Sequence, residues 1–357
     1  MKKVLLGPSG GTAAAMGAFM QYWVQKAPYS GETMFVPEMW RTMAGLTSRQ
    51  VIPATKDFVE GWDMLGGSPI IPSCKNTNVF KIEQEGGGEP IDKSGTVYEF
   101  CKGYDGIVAV GGGGTTRQCT DLKKAHGINS IIALATMDND IWWFDNMLGF
   151  ETAVQNSAAS INACSNDAQT MQRPTMVFAM GYDCGRLAVS GVKHARKHFG
   201  TKIDLLHIPE TNVAIEDVAA KIRKSYNGGD FTIVIGEGVC KSVGTDDGTH
   251  KKFSTDEYAK KLMELSGIEF KVLTPDYMQR SGAPVYEDRV LALRFARMAS
   301  HLVNQGKWNH VIGSVNGDVI AKPFEEIIEV LNTQNSSSPW YETPKMSLDD
   351  VEEILIK

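Results

Sequence analysis

Two aspartates, Asp138 and Asp140, stand one residue apart shortly after the apolar run SIIALA, which ends at Ala135. Side chains alternate along an extended chain, so the spacing predicts that both carboxylates point to the same side. Such a pair can divide the work of phosphoryl transfer. One carboxylate accepts the proton of an attacking hydroxyl, and the other holds Mg²⁺. The alternative is a solvated acidic turn that caps the next helix, and the pair taken alone favours it.

Two glycine-rich loops supply a second set of candidate residues. GPSGG at 7–11 and GGGG at 111–114 each follow a predicted strand and precede a predicted helix. Glycines let the backbone come close to a phosphate, and a helix start offers free N–H groups and partial positive charge. Tight turns without a ligand are the alternative. Neither loop has the P-loop or dinucleotide fingerprint, which argues against a nicotinamide-dependent oxidoreductase.

The elements that would position these residues alternate along most of the chain. Apolar runs such as KKVLLG, DGIVAV, TMVFAMG and FTIVIGEG predict strands, and the amphipathic stretches between them predict helices. This order predicts an α/β fold with mainly parallel sheets covered by helices on both faces. Near the end, Asn316-Gly317 predicts a type I′ hairpin. A polar linker, TQNSSSPW, and a capped terminal helix, SLDDVEEILIK, follow.

Length and composition limit the possible classes of protein. The 357 residues are enough for two domains, and the net charge of −6 gives no support to a nucleic-acid or acidic-membrane partner. The six cysteines show no C-x-x-C pair and no zinc-binding spacing, which predicts free thiols in a reducing compartment. The first apolar run is too short for a signal peptide, and no run is long enough to span a membrane. We therefore expect a cytoplasmic protein.

The segment TMDNDI, followed by GFETA, resembles the signature of the phosphofructokinase family. PSGGTAAAM, GGSPIIPSCK, FAMGYDCGRLA, IPE at 208–210 and QRSGAPVYEDRVLA resemble further motifs of that family in the same order. The resemblance runs from about residue 4 to 330. It implies two doubly wound, mainly parallel-sheet domains of the phosphofructokinase type. Residues 1–145 with about 270–310 would form the nucleotide-binding domain, and about 146–269 with 311–357 the substrate domain.

The resemblance also implies roles for matching residues near the paired aspartates. Asp138 resembles the catalytic base, Asp140 the carboxylate near the metal, and Thr136 a hydroxyl that contacts substrate. The residues that match the nucleotide-phosphate site are Gly11, Lys75, Gly112, Gly113, Gly114 and Thr115. The implied ligands are ATP, or alternatively pyrophosphate, and Mg²⁺.

A further group of residues matches contacts to a phosphorylated small-molecule acceptor. These residues are Arg173, Met180, Gly181, Glu210, Lys271, Tyr277 and Arg280. The resemblance implies a homo-oligomer, a dimer or tetramer, in which Arg173 reaches the neighbouring subunit's site. Arginine suits that role because its planar guanidinium binds phosphate through two parallel hydrogen bonds.

The sequence departs from the family at several of these positions. Gly113 stands where an aspartate is usual, so Asp140 would hold the metal with phosphate oxygens and water. Tyr182 replaces the arginine of a Met-Gly-Arg motif, and Arg186 lies four residues further on. Lys75 and Lys271 replace arginines, which keeps the charge but loses the bidentate geometry. Tyr277 replaces a histidine that contacts phosphate.

The departures leave alternatives open for the donor and the function. Gly114 and Ala135 are small where pyrophosphate-using members carry Asp and Lys, which favours ATP, although the phosphate-loop length resembles the pyrophosphate branch. The WWF run at 142–144 can pack a core or line an acceptor pocket. We expect an ATP-dependent kinase of fructose 6-phosphate or a related sugar phosphate. The alternatives are a pyrophosphate-dependent enzyme and a non-catalytic ligand-binding paralogue, the latter suggested by Gly113 and Tyr182.

Overall fold

The computed structural model describes residues 2–84, 86–241, 243–244, 250–251, 253–333 and 351–357. The chain divides into two compact units. Unit 1 comprises Met1–Thr136, Ile141–Glu151 and Arg280–Thr333, and unit 2 comprises Met137–Asp140, Thr152–Gln279 and Gln334–Lys357. Nearly all of the predicted linker TQNSSSPW and the first part of the predicted terminal helix lie outside the described residues. The described end of that predicted helix contains a short 3₁₀ helix, Glu352–Ile354.

Strands and helices alternate along the described chain. The strands are β1 (Lys3–Pro8), β2 (Glu32–Phe35), β3 (Ile52–Pro53), β4 (Gly106–Gly111), β5 (Ser130–Leu134), β6 (Pro174–Ala179), β7 (Leu205–His207), β8 (Phe231–Gly236), β9 (Val243–Gly244), β10 (His250–Lys251), β11 (Lys271–Leu273), β12 (His310–Val315) and β13 (Asp318–Pro323). The helices are α1 (Met16–Gln25), α2 (Met39–Met43), α3 (Ser94–Cys101), α4 (Gly113–His126), α5 (Phe150–Met171), α6 (Arg186–Phe199), α7 (Ile215–Ser225), α8 (Thr255–Ser266), α9 (Tyr277–Ser281), α10 (Tyr286–Asn304) and α11 (Phe324–Thr333).

Unit 1 is built on a seven-stranded sheet in the order β13-β12-β5-β4-β1-β2-β3. Its five central strands are parallel, and each edge strand is antiparallel to its neighbour. Every residue of β4 is buried, because its alternate side chains face two different apolar clusters. One cluster includes α1 and α10, and the other includes α2, α4 and α11. This layering confirms the predicted α/β class.

Unit 2 contains a second parallel sheet, in the order β11-β6-β8-β7. Helices α7 and α8 pack on it through Val218, Tyr258 and Leu262. The predicted cap of α8 is present as a capping box between Ser254 and Glu257. None of the helices in the described parts of the chain combines the length and apolar character needed to cross a membrane.

The predicted hairpin is present, but it lies in unit 1. Asn316 and Gly317 have φ of +52° and +80°, as a type I′ turn requires at both central positions. Strand β12 pairs in parallel with β5, which extends the first sheet and carries the hairpin and α11 with it. The predicted boundaries therefore differ from this division for 311–333, and also for 270–279, because β11 pairs with β6. The division also differs at 137–140, which belong to unit 2, and at 146–151, which belong to unit 1.

Candidate active site

A buried hydrogen-bond clamp joins the two glycine loops of unit 1. Strands β1 and β4 are neighbours, so the loops that follow them meet at one edge of the sheet. The Thr115 hydroxyl donates to Ser9 Oγ at 2.8 Å, and Trp40 Nε1 donates to the same oxygen at 2.5 Å. Thr115 is only 3% exposed. Its side chain therefore serves the clamp, and only its backbone N–H remains for a ligand.

A third loop, which carries Lys75, joins the same edge. The Gly10 N–H donates to the Cys74 carbonyl at 2.9 Å, and the Ser73 hydroxyl donates to the Gly10 carbonyl at 2.9 Å. Lys75 follows directly and is exposed. The structure thus brings together the loops that contain all six predicted nucleotide-phosphate residues.

Gly111 has no room for a side chain, whereas two other glycines in these loops are open. A Cβ at Gly111 would lie 2.3 Å from Thr115 Oγ1 and 2.4 Å from the Ser9 carbonyl oxygen. By contrast, a Cβ at Gly11 or Gly114 would meet nothing within 4 Å. Helix α4 begins at Gly113, and the first N–H groups of a helix have no acceptor within it. These open N–H groups suit an anion such as a phosphate.

The position that lacks the expected aspartate is covered by an apolar side chain. A Cβ at Gly113 would lie 3.2 Å from Leu331 Cδ2 of α11, so a larger residue would push Leu331. Leu331 is itself buried. Arg117 of α4 donates to the Leu331 carbonyl and, at 2.5 Å, to Asn332 Oδ1. The end of α11 is therefore fastened over the start of α4.

Thr136 lies beside the glycine loop in unit 1. The Ala135 N–H donates to the Gly111 carbonyl at 3.1 Å. A Cβ at Gly112 would lie 3.6 Å from Thr136 Cβ. Thr136 is half-buried.

The paired aspartates belong to a turn of unit 2, and the predicted extended segment is wrong. Asn139, between them, has φ of +51°, a left-handed conformation that interrupts an extended path and that asparagine tolerates. Asn139 is fully buried, whereas Asp138 and Asp140 are half-buried. The Asn139 carbonyl accepts a hydrogen bond from Arg186 Nη1 at 2.8 Å.

The carboxyl ends of β6 and β7 gather further predicted residues in unit 2. The Gly185 N–H donates to Glu210 Oε1 at 2.7 Å, and a Cβ at Gly185 would lie 2.5 Å from Glu210 Oε2. The Met180 N–H, just before Gly181, donates to Gln279 Oε1 at 3.1 Å. Gln279 is fully buried in α9, the helix that begins at the exposed Tyr277. Four predicted acceptor contacts therefore share one edge of the sheet.

Opposite charges surround a buried thiol at this edge. Burial raises the pKa of Cys184 well above its usual range. The negative charges of Glu210 and Asp140 raise it further, and Arg186 lowers it. A cation and two carboxylates are therefore close enough to act on one atom.

Arg173 and Lys271 lie at the other end of the same sheet. Lys271 pairs with Thr175 at the start of β6, and Arg173 immediately precedes that strand. Along β6 this end is roughly 20 Å from Gly181. Arg173 Nη2 contacts Asp167 Oδ2 at 2.7 Å. One copy of the chain therefore does not bring Arg173 and Lys271 together with Met180, Gly181 and Glu210.

Comparisons with known proteins decide the family. A family model described as Phosphofructokinase matches residues 3–303. The chain belongs to the phosphofructokinase family. It is 28% identical over 332 residues to the ATP-dependent 6-phosphofructokinase of Halothermothrix orenii, covering 92% of this chain and 94% of that protein. It is 28% identical over 329 residues to the enzyme of the same name from Streptococcus sanguinis, covering 91% and 88%.

Solved structures of the phosphofructokinase family share the fold. The pyrophosphate-dependent phosphofructokinase from Marinobacter aquaeolei matches with a TM-score of 0.75 at 16% identity, over 97% of this chain and 92% of that one. Phosphofructokinase from Saccharomyces cerevisiae matches with a TM-score of 0.70 at 20% identity, over 92% of this chain and 45% of that one. At these identities the likeness shows the fold alone.

The aromatic run that departs from the phosphofructokinase signature packs mainly inside unit 1. Phe144 is fully buried, and a Cβ at Gly313 would lie 2.2 Å from its ring. Lys322 Nζ lies 4.3 Å from the centre of the Trp143 ring, within reach of a cation–π interaction. These contacts favour the core interpretation for Phe144 and Trp143.

Several residues at this candidate site had no clear signal in the sequence. Ser9 and Trp40 form the clamp, and Gln279 ties α9 to β6. Ser9 stands inside the GPSGG loop, which could have marked it as a polar group at a strand end. The roles of Trp40 and Gln279 depend on contacts far apart in the chain.

Arg280 is the remaining predicted residue, and it lies in unit 1 with the 66–67 loop. A Cβ at Gly66 would lie 1.8 Å from the carbonyl oxygen of Ser281, next to Arg280. Arg280 is half-buried at the end of α9.

Proposed function

We propose that this protein transfers the terminal phosphate of ATP to a hydroxyl of a sugar phosphate, such as fructose 6-phosphate or a related acceptor. The clamped pair of glycine loops in unit 1 carries this proposal, because it presents the open first turn of α4. Family membership and the printed names of the relatives support the same reaction. Free cysteines fit a cytoplasmic location.

The nucleotide phosphates would lie along the backbone N–H groups of Gly11 and Gly112–Thr115. Lys75 would add a positive charge, which an exposed side chain on the adjoining loop can bring to a phosphate. Gly114 leaves open space for a nucleotide. Together these features support ATP as the donor, and pyrophosphate is the alternative.

Asp138 would accept the proton of the acceptor hydroxyl as that oxygen attacks the terminal phosphorus. Thr136, beside the glycine loop, would orient the reacting groups through its hydroxyl. Among the described residues, no group of three or more His, Cys, Asp or Glu side chains could hold a metal. Mg²⁺ needs only one or two carboxylates with phosphate oxygens and water, so Asp140 fits as its protein ligand. When bound, Mg²⁺ would neutralise charge on the phosphates.

The acceptor sugar would be held by Met180, Gly181, Glu210, Tyr277 and Arg280. Arg173 and Lys271 would hold the acceptor's phosphate in a neighbouring copy, since they lie at the far end of the sheet from Gly181. This assignment makes the active protein a homo-oligomer, a dimer or tetramer.

A non-catalytic ligand-binding paralogue is the second candidate. Gly113 favours it, because Leu331 covers the place where a metal-binding carboxylate is usual. In that case ATP would bind without phosphoryl transfer.

The test is a panel of sugar phosphates and sugars incubated with ATP or pyrophosphate, with and without Mg²⁺. We expect Mg²⁺-dependent formation of ADP and a doubly phosphorylated sugar. Asp140→Ala is expected to abolish it, because the metal loses its protein carboxylate. Tight ATP binding with no transfer to any acceptor would instead support the non-catalytic paralogue. Turnover with pyrophosphate alone would show that pyrophosphate, and not ATP, is the donor.

A further inference from the structure

Arg186 occupies a costly position at the start of a helix. It is the first residue of α6 and only 4% exposed. The amino end of a helix carries partial positive charge, so a cation there is repelled. A buried guanidinium also loses its hydration and needs well-placed acceptors in return. The site must therefore supply strong acceptors for Arg186.

One of those acceptors is the peptide between the two aspartates. Arg186 Nη1 donates to the Asn139 carbonyl at 2.8 Å. Hydrogen bonds from a charged donor are stronger than neutral ones. Asn139 is fully buried and left-handed, so this bond fixes the orientation of a peptide with an uncommon backbone conformation. Asp138 and Asp140 flank Asn139 in the chain, so a bond that holds Asn139 in place also restricts the backbone from which their side chains extend.

Tyr182 cannot supply the positive charge that Arg186 brings to this site. It is 58% exposed, carries no positive charge, and its backbone N–H donates to Glu237 Oε1 at 2.7 Å. Arg186 is instead buried and near Asp140 and Glu210, since all three act on the Cys184 thiol. Arg186 of α6 therefore brings a cation close to Asp140 and Glu210, which Tyr182 in the turn after β6 does not.

We propose that Arg186 is a positioning residue for phosphoryl transfer, holding the Asp138–Asn139–Asp140 turn so that Asp138 meets the acceptor hydroxyl. This inference rests on the proposed function. A displacement of about 1 Å in a reacting group can cost about 10²-fold in rate. Loss of the guanidinium should therefore lower kcat and leave substrate binding nearly intact.

The test compares Arg186→Met and Arg186→Lys with Lys197→Met, which removes an exposed cation from the other end of α6. We expect Arg186→Met to lower kcat about 10²-fold with little change in either KM. Arg186→Lys should restore part of the loss, because an ammonium can still donate to the Asn139 carbonyl. Lys197→Met should match the wild type.

A second measurement does not depend on turnover. Hydrogen exchange of the peptide spanning residues 135–141 should be faster in both Arg186 variants than in Lys197→Met. If Arg186→Met fails to fold, Arg186→Lys decides by the same two measurements. Wild-type kcat and exchange in the folded Arg186 variants would overturn the inference, as would a loss confined to thermal stability. An inactive wild type with faster exchange in the variants would contradict the proposed function but support the positioning contact.

Discussion

At the scale of single residues, the clamp between Thr115 and Ser9 joins the two glycine loops through a buried hydrogen bond of 2.8 Å. Thr115→Val keeps the side-chain shape but removes the donor inside a buried site. A net loss of about 1 kcal/mol in the free energy of unfolding is expected. The loosened loops should also raise KM for ATP. Thr115→Ser, which keeps the hydroxyl, is the matched control, and equal behaviour of the two variants in urea denaturation and kinetics would contradict the clamp.

Gly113 yields a second prediction, because the space beside it is taken by Leu331. Gly113→Asp should destabilise the fold by about 1–3 kcal/mol through overpacking and should not strengthen Mg²⁺ dependence. Gly114→Asp introduces the same charge one residue along, into open space at a helix start, and should be neutral or stabilising. Unfolding free energies of both variants check this.

A double variant isolates the cause of the Gly113 effect. In the background of Leu331→Ala, the cost of Gly113→Asp should largely disappear, since the contact at 3.2 Å is gone. An undiminished cost would assign the effect to something other than Leu331.

At the scale of elements, strand β7 carries a buried histidine into the core of unit 2. Burial lowers the pKa of His207 from 6.5 to about 4. As the pH falls below about 6.5, His207 takes up a proton in the unfolded chain but stays neutral in the folded chain until about pH 4. The free energy of unfolding therefore decreases as the pH falls between these two values. Between about pH 7.5 and about pH 5 the loss from this group is about 2 kcal/mol.

The measurement is chemical denaturation across that pH range. His207→Gln cannot take up the proton and should show a shallower decline than the wild type, even if its stability at neutral pH is lower. Parallel declines in the two proteins would exclude His207 as the source.

Elements were the most predictable part of this molecule, and their contacts the least. Periodicity and caps are local, so the parallel strands, the α8 capping box and the Asn316-Gly317 hairpin could be predicted. The meeting of the glycine loops follows from strand order. The left-handed Asn139 and the cover of Gly113 by Leu331 could not be predicted, because each depends on a residue distant in the chain.

At the scale of the whole molecule, the proposal that active sites are shared between copies can be tested with residues from the two ends of the unit 2 sheet. Asp138→Asn should lower kcat by about 10²–10⁴-fold by removing the base. Arg173→Ala should raise KM for the acceptor. If Arg173 acts in its neighbour's site, hybrids of these two inactive or weakened variants contain some sites with neither change.

Mixing the two variants after reversible dissociation should therefore restore activity above that of either alone. A mixture of Asp138→Asn with a second base variant, Asp138→Ala, is the control and should stay inactive. If hybrids whose composition is verified by mass spectrometry recover no activity, Arg173 does not act in the neighbouring subunit's site. It would then act in its own subunit or play no part in the reaction.

The buried Cys184 thiol can report how often the structure around it opens. Its thiol is shielded and its raised pKa keeps it protonated, so an alkylating reagent should modify it only when the turn around it opens. The labelling rate then measures how often the chain exposes the Cys184 thiol, which lies near Asp140 and Glu210. Ligands that order this region should lower the labelling rate. Alkylation of Cys184 can therefore be used to screen for acceptors without measuring turnover.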